Sequence, residues 1–173
     1  MINYKETLKD ITTLMFDFDG VLSDGKVLVM PDGEQLRMTS VRDGYALQLA
    51  VKKGFNVVII SGGRSASMLK RFDALNITDV FLGVSNKMEV YERYLADHHL
   101  TAKEVLYMGD DIPDYFVMKA SRIAACPANA CSEIKNISHY ISLYNGGDGC
   151  VRDIIEQVLK VNGKWFDEDA HEW

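Results

Sequence analysis

The sequence predicts a doubly wound α/β fold, a Rossmann-like parallel sheet with helices on both faces. Three observations carry that expectation. Six short, strongly apolar runs are separated by amphipathic stretches, and polar residues gather where the runs end. Runs apolar on both sides suit strands covered on both faces, and the segments between them are long enough for crossover helices.

Taken in order, the first strand is expected in "TLMFDF" (13–18), where a buried run closes on two carboxylates, Asp17 and Asp19. The next are "NVVIIS" (56–61), "DVFLG" (79–83), "VLYMGD" (105–110), "RIAAC" (122–126) and "YISL" (140–143). Helices are expected near 43–53, 64–75, 86–98, 112–120, 129–136 and 149–161, from apolar residues at three- and four-residue spacing. One segment breaks the alternation. Residues 25–41 read as "KVLVM" and "EQLRMTS" around a Pro-Asp-Gly turn, a hairpin inserted after the first core strand. The acidic tail, 162–173, reads as a frayed terminus.

A chain of 173 residues fits a single domain spanning 1–173. Only 41 residues separate Asp19 from Ser61, and 25 separate Ser61 from Lys87. Neither gap can hold a cap domain besides the elements it must supply. The net charge of −6 argues against nucleic acid, whose phosphates need a basic surface. Apolar runs too short to span a bilayer and a charged N-terminus without an apolar signal core point to no membrane and a cytoplasmic location. Cys126, Cys131 and Cys150 form no even framework and read as reduced thiols.

In doubly wound sheets ligands bind beyond the carboxyl ends of the strands. The polar residues expected there are Asp17, Asp19, Ser61, Asp110, Asp111 and Asp114, with Lys87 opening the helix after the third strand. Carboxylates so gathered repel one another unless a cation sits among them, and oxygen donors favour hard Mg²⁺. Beside such an ion a carboxylate can attack phosphorus. A second carboxyl can protonate the departing oxygen, while a hydroxyl and an ammonium hold the phosphoryl oxygens. Each signal alone has a plainer reading: Asp-Gly as a turn, Asp110 and Asp111 as caps before Pro113, Ser61 in a glycine turn, Lys87 as a solvated helix residue. A calcium loop from Asp17 fails, because Leu22 and Leu28 stand where its glycine and glutamate belong. A phospho-accepting receiver module uses similar residues but places the phosphorylated aspartate on a later strand.

The motifs "DFDGV", the serine of "IISGG", Lys87 and "GDDIPD" resemble the four motifs of the haloacid dehalogenase superfamily. That resemblance implies Asp17 as nucleophile, Asp19 as general acid/base, and Ser61 and Lys87 on the phosphoryl group. It implies Mg²⁺ held by Asp17, the carbonyl of Asp19 and Asp110, with Asp111 and Asp114 in support. Across nearly the whole chain, "DGVLSDG", "GEQLRMTSVRDGYAL", "GVSNK", "YMGDDIPD" and "GGDGCVRDI" are similar to the 3-deoxy-D-manno-octulosonate 8-phosphate phosphatases and their nine-carbon sugar acid relatives. The implied substrate is a small anionic sugar phosphate. The implied pocket takes Ser40, Val41, Arg42, Asp43, Gly44, Gly62, Arg64, Arg71 and Lys87, and the implied assembly is a homotetramer through the 25–41 hairpin. Gln48 departs from the group, which often has a basic residue there. A phosphatase acting on varied small esters or on protein phosphoresidues is the second enzyme reading. Arg37, on the hairpin, reads as solvated.

Overall fold

The computed structural model describes residues 4–172; Met1–Asn3 and Trp173, the second tryptophan of the tail, lie outside the described residues. Six parallel strands make the central sheet: β1 (Thr13–Phe16), β4 (Asn56–Ile60), β5 (Asp79–Phe81), β6 (Val105–Met108), β7 (Ile123–Cys126) and β8 (Tyr140–Ile141). Their order is β5-β4-β1-β6-β7-β8. The order reverses between β1 and β6, which is where a doubly wound sheet opens its ligand crevice. It also departs from the 2-1-3-4-5 order of receiver modules.

Alternation along each strand builds two cores. Leu14 and Phe16 of β1, Val57 and Ile59 of β4, and Leu106 and Met108 of β6 face one side. Met15, Val58, Ile60, Val105 and Tyr107 face the other. Helices α2 (Val41–Lys52), α3 (Ala66–Asp73) and α7 (Cys150–Val161) cover the first side with Leu47, Leu49, Phe72, Ile154, Ile155 and Val158. Helices α4 (Lys87–Asp97), α5 (Tyr115–Ala120) and α6 (Ser132–Ile137) cover the second with Tyr91, Tyr94, Val117, Met118 and Ile134. A short α1 (Tyr4–Thr7) precedes β1. No helix among the described residues is long and apolar enough to cross a membrane, and the three cysteines are free.

Between β1 and β4 stand only the hairpin and α2. The hairpin strands are shorter than the sequence predicts: β2 (Leu28–Val29) pairs antiparallel with β3 (Gln35–Leu36). A two-stranded ribbon exposed on both faces buries too little to hold a longer ladder. Its turn is closed by the Gly33 amide on the Met30 carbonyl (2.9 Å) and the Met30 amide on Glu34 (2.8 Å).

The tail corrects the expectation of fraying. Trp165 is half-buried, packed edge-on to Tyr45 of α2 at 6.3 Å, with the Arg152 guanidinium 5.2 Å from its ring. Lys53 donates to both oxygens of Asp167 at 2.6 and 2.7 Å. An indole and an ion pair supply the contacts that a polar terminus alone would lack.

Helix α7 starts after Gly149, in a left-handed conformation (φ 107°), without a cap from its own segment. Asp43, buried on α2, supplies one from 106 residues away, accepting from the amides of Arg152 (2.7 Å) and Gly149 (3.2 Å). A carboxylate at a helix N-terminus satisfies orphan amides and meets the positive end of the helix dipole. Asp43→Ala is therefore expected to destabilise the protein by about 1–2 kcal/mol, read as a lower urea midpoint with an unchanged slope.

Candidate active site

The crevice forms where β1 and β6 end. The Asp17 amide donates to the Met108 carbonyl at 3.0 Å, which carries the ladder one residue past β1 and fixes Asp17 against β6. Alternation places Asp17 on the side of Met15, the side from which Tyr107 and α4 approach. The chain then turns sharply, the Phe18 carbonyl accepting from Leu22 and Ser23 at 3.0 Å each. Gly20 sits there at φ 92°, and a Cβ on it would fall 2.1 Å from an Asp110 carboxylate oxygen. Only glycine allows Asp110 to come this close to the turn.

Lys87 enters from the first turn of α4, after Asn86 has capped the helix by accepting from the Met88 amide (3.1 Å). Its ammonium lies 2.8 Å from Asp17 Oδ1 and 2.7 Å from Asp114 Oδ1. The Tyr107 hydroxyl donates to that same Asp114 oxygen at 2.7 Å, and the Asp110 amide to the other at 3.3 Å. Asp17, Asp110 and Asp114 each offer an oxygen within 4.8 Å of the others. Ser61, at the end of β4, accepts from the Gly63 amide at 3.1 Å.

Charge in this space is unbalanced. Burial pushes the Asp17 carboxyl up to about 7, with Asp114 adding to the rise and Lys87 opposing it. Burial, followed by repulsion from Asp17, Asp114 and Asp111, pushes Asp110 up to about 8. Burial alone would pull the Lys87 ammonium down, but Asp114 and Asp17 together outweigh it and raise it. The buried Asp110 Oδ1 has no hydrogen-bond partner. An orphaned carboxylate oxygen in an all-oxygen cluster short of positive charge fits a hard divalent cation. Asp17 and Asp110 are placed to hold it, and Asp114 stands behind them.

A cavity of about 580 Å³ gathers Asp17, Asp19, Ser61, Gly62, Lys87, Asp110, Asp111 and Asp114. Asp111 is exposed and caps the turn Ile112–Asp114 through the Ile112 amide (2.9 Å), so its plainer reading as a cap is the one seen. Asp114, expected only in support of the metal, anchors Lys87. Asp19 is partly exposed and meets Arg37 through two bonds, Nε to Oδ1 at 2.8 Å and an Nη to Oδ2 at 3.2 Å. The expectation of a solvated Arg37 is corrected: its side chain is 4% exposed. Neither Arg37 nor Tyr107 stands out in the sequence, the first as one cation on a polar hairpin, the second as a core aromatic.

The remaining residues expected in the pocket do not line this cavity within one chain. Ser40 caps α2, accepting from the Asp43 amide at 3.3 Å. Ser40, Val41 and Arg42 face a second cavity of about 800 Å³ with Gly149 and Arg152. Asp43 is committed to α7, which draws this end of α2 toward the opposite face of the sheet. Arg71 lies over Gly44, where a Cβ would fall 2.2 Å from its guanidinium. Arg64 is exposed and lines a shallow cavity with Asp32–Gln35.

No family model matches the chain. A 3-deoxy-D-manno-octulosonate 8-phosphate phosphatase of Yersinia pestis is 33% identical over 155 residues, 90% of this chain and 83% of the relative. The solved structure of the Yersinia pestis phosphatase superposes with a TM-score of 0.90 at 32% identity, over 92% of this chain and 86% of that one. The Moraxella catarrhalis phosphatase, solved in complex with magnesium, phosphate and KDO, superposes with a TM-score of 0.89 at 28% identity, over 93% of each chain.

The raised carboxyls make stability depend on pH. Between the ordinary carboxylate range, near 4, and about 8, the folded state holds protons at Asp17 and Asp110 that the unfolded chain releases. Their contribution is present below that window and is lost as pH rises through it. Without divalent cations the melting temperature should fall from pH 6 to pH 8.5, and Mg²⁺ should raise it more at pH 8.5 than at pH 6. Thermal melts with EDTA or Mg²⁺ check this, and Asp110→Asn should reduce both effects.

Proposed function

The chain belongs to the 3-deoxy-D-manno-octulosonate 8-phosphate phosphatases of the haloacid dehalogenase superfamily, and on that premise we propose that it removes the phosphate of this eight-carbon sugar acid in a Mg²⁺-dependent reaction. One observation carries the reading: Asp17, Asp110 and Asp114 converge with Lys87 at the point where strand order reverses, with Asp19 beside them.

Asp17 and Asp110 would hold Mg²⁺, which when bound would neutralise the carboxylates and the phosphoryl oxygens. Asp17 attacks phosphorus, forming an aspartyl-phosphate as the bond to the sugar oxygen breaks. Asp19 gives that oxygen a proton and later takes one from the water that hydrolyses the intermediate. Ser61 and Lys87 hold the phosphoryl oxygens, Lys87 being kept in place by Asp114, which the Tyr107 hydroxyl holds in turn.

The open cavity and the exposed hairpin support a homotetramer built from single-domain chains. Leu28 and Val29 are each 64% exposed and Met38 82%, more apolar surface than a solitary ribbon should leave in water. In such an assembly a neighbouring copy would bring the exposed Val41 and Arg42 toward the sugar acid, whereas Asp43 and Gly44 stay buried in their own chain. A bidentate arginine suits a sugar carboxylate.

Phosphate release from eight-carbon and nine-carbon sugar acid phosphates and from simple sugar phosphates tests the substrate. The eight-carbon acid should show the highest kcat/KM, and EDTA should abolish its turnover. Comparable values across unrelated esters would transfer the reading to a broad phosphatase. Asp17→Asn should lower kcat on the order of 10³-fold or more while leaving the fold intact, and wild-type turnover in that variant would remove Asp17 as nucleophile.

A further inference from the structure

We propose that Arg37 is a positioning residue for the proton transfer. It holds Oδ1 of Asp19 by the shorter of two bonds and Oδ2 by the longer, with Oδ2 on the side of the phosphoryl-binding loop. The proposal rests on Asp19 as the group that exchanges protons with the leaving oxygen and with water.

The two carboxylate oxygens of Asp19 have different surroundings. Oδ1 takes the short bond from Arg37 Nε (2.8 Å) and a long one from the Ser23 hydroxyl (3.5 Å). Oδ2 takes only the longer 3.2 Å bond from Arg37. It also lies 3.1 Å from where a Cβ on Gly63 would stand, a point 3.3 Å from the Ser61 hydroxyl. Oδ2 is thus the oxygen nearer the Ser61–Gly63 loop, shared there with the Arg37 Nη that stands 3.2 Å from the same point, while Oδ1 meets Arg37 Nε and Ser23. The guanidinium is itself held, donating to the Gln35 carbonyl (2.9 Å) and the Gln35 side-chain oxygen (3.3 Å). A planar fork fixed at both ends sets the plane of a carboxylate as well as its place. In an open site, a partly exposed aspartate without that fork would sample other rotamers.

The chemistry needs this orientation at one moment above others. As an Asp17 oxygen bonds to phosphorus, the bond from phosphorus to the sugar oxygen breaks and its electron pair stays on that oxygen. The proton on Asp19 Oδ2 then passes to the sugar oxygen, leaving the carboxylate on Arg37. In the second half, water adds to phosphorus, the Asp17–phosphorus bond breaks, and the proton from water returns to Oδ2. The Nε bond to Oδ1 can persist throughout. An alkoxide leaves poorly without a proton, whereas an activated phenolate leaves without one, so the two report on Asp19 differently.

The test compares kcat/KM for the eight-carbon sugar acid phosphate and for p-nitrophenyl phosphate, both with Mg²⁺. Arg37→Ala should lower the first by about 10–100-fold and the second by less than about 3-fold, with Arg37→Lys between it and wild type. In an Asp19→Asn background, Arg37→Ala should add less than about 3-fold on the sugar ester. Equal losses on both esters, or a full loss in the Asp19→Asn background, would overturn the proposal in favour of substrate contact or hairpin structure. Should Arg37→Ala fold poorly, Arg37→Gln makes the same comparison at nearly constant volume. If wild type prefers a different alkyl phosphate, the substrate reading fails, while the Arg37 comparison is read on whichever alkyl ester turns over.

Discussion

The structure is organised around Lys87, the ammonium wedged between Asp17 and Asp114. Three carboxylates converge where water is scarce, and each would resist ionisation if left alone. A lysine on the first turn of α4 can reach them because α4 packs against the face of the sheet that carries Tyr107. The phenol and the ammonium share one oxygen of Asp114. That sharing ties a helix, a core strand and the acidic turn into one unit before any ligand arrives. The raised carboxyls and the orphaned Asp110 oxygen show that this unit is electrostatically incomplete on its own.

The other side of the crevice is built differently. There the rigid sheet gives way to a ribbon whose two strands hold two residues each, tied to the rest by the Arg37–Asp19 fork and the Ser23–Thr39 bridge. One edge of that ribbon is exposed apolar surface and the other touches Asp19. An event that steadies the outer edge would steady the fork too. The hairpin is then an adjustable wall of the site, in contrast to the fixed wall formed by α4.

Much of this was legible in the sequence because parallel strands buried on both faces leave a clear apolar signature, and polar residues ending such runs stand out. Asp17, Ser61, Lys87 and Asp110 meet where that reasoning expects. What stayed hidden depends on pairings between distant segments. Asp43 caps α7 across 106 residues, so a residue that reads as part of a pocket serves as a helix cap. Tyr107 lies inside an apolar run, where a phenol that packs and one that also donates look alike. Of the expected pocket residues, Arg71 stays with 40–44 and only Arg64 lies on a separate surface, and helix packing on the far side of the sheet keeps the group at 40–44 and 71 away from Asp17.

The sheet order has a consequence for how the site comes into being. β1, which delivers Asp17, is central, and its neighbours β4 and β6 lie far along the chain. Asp17 emerges from the ribosome early, yet Lys87, Asp110 and Asp114 follow 70, 93 and 97 residues later. Until β6 docks, β1 has an open hydrogen-bonding edge beside a pair of carboxylates. Charge beside such an edge opposes wrong strand pairing, so the carboxylates that gather in the crevice also suit the nascent chain that has yet to form it.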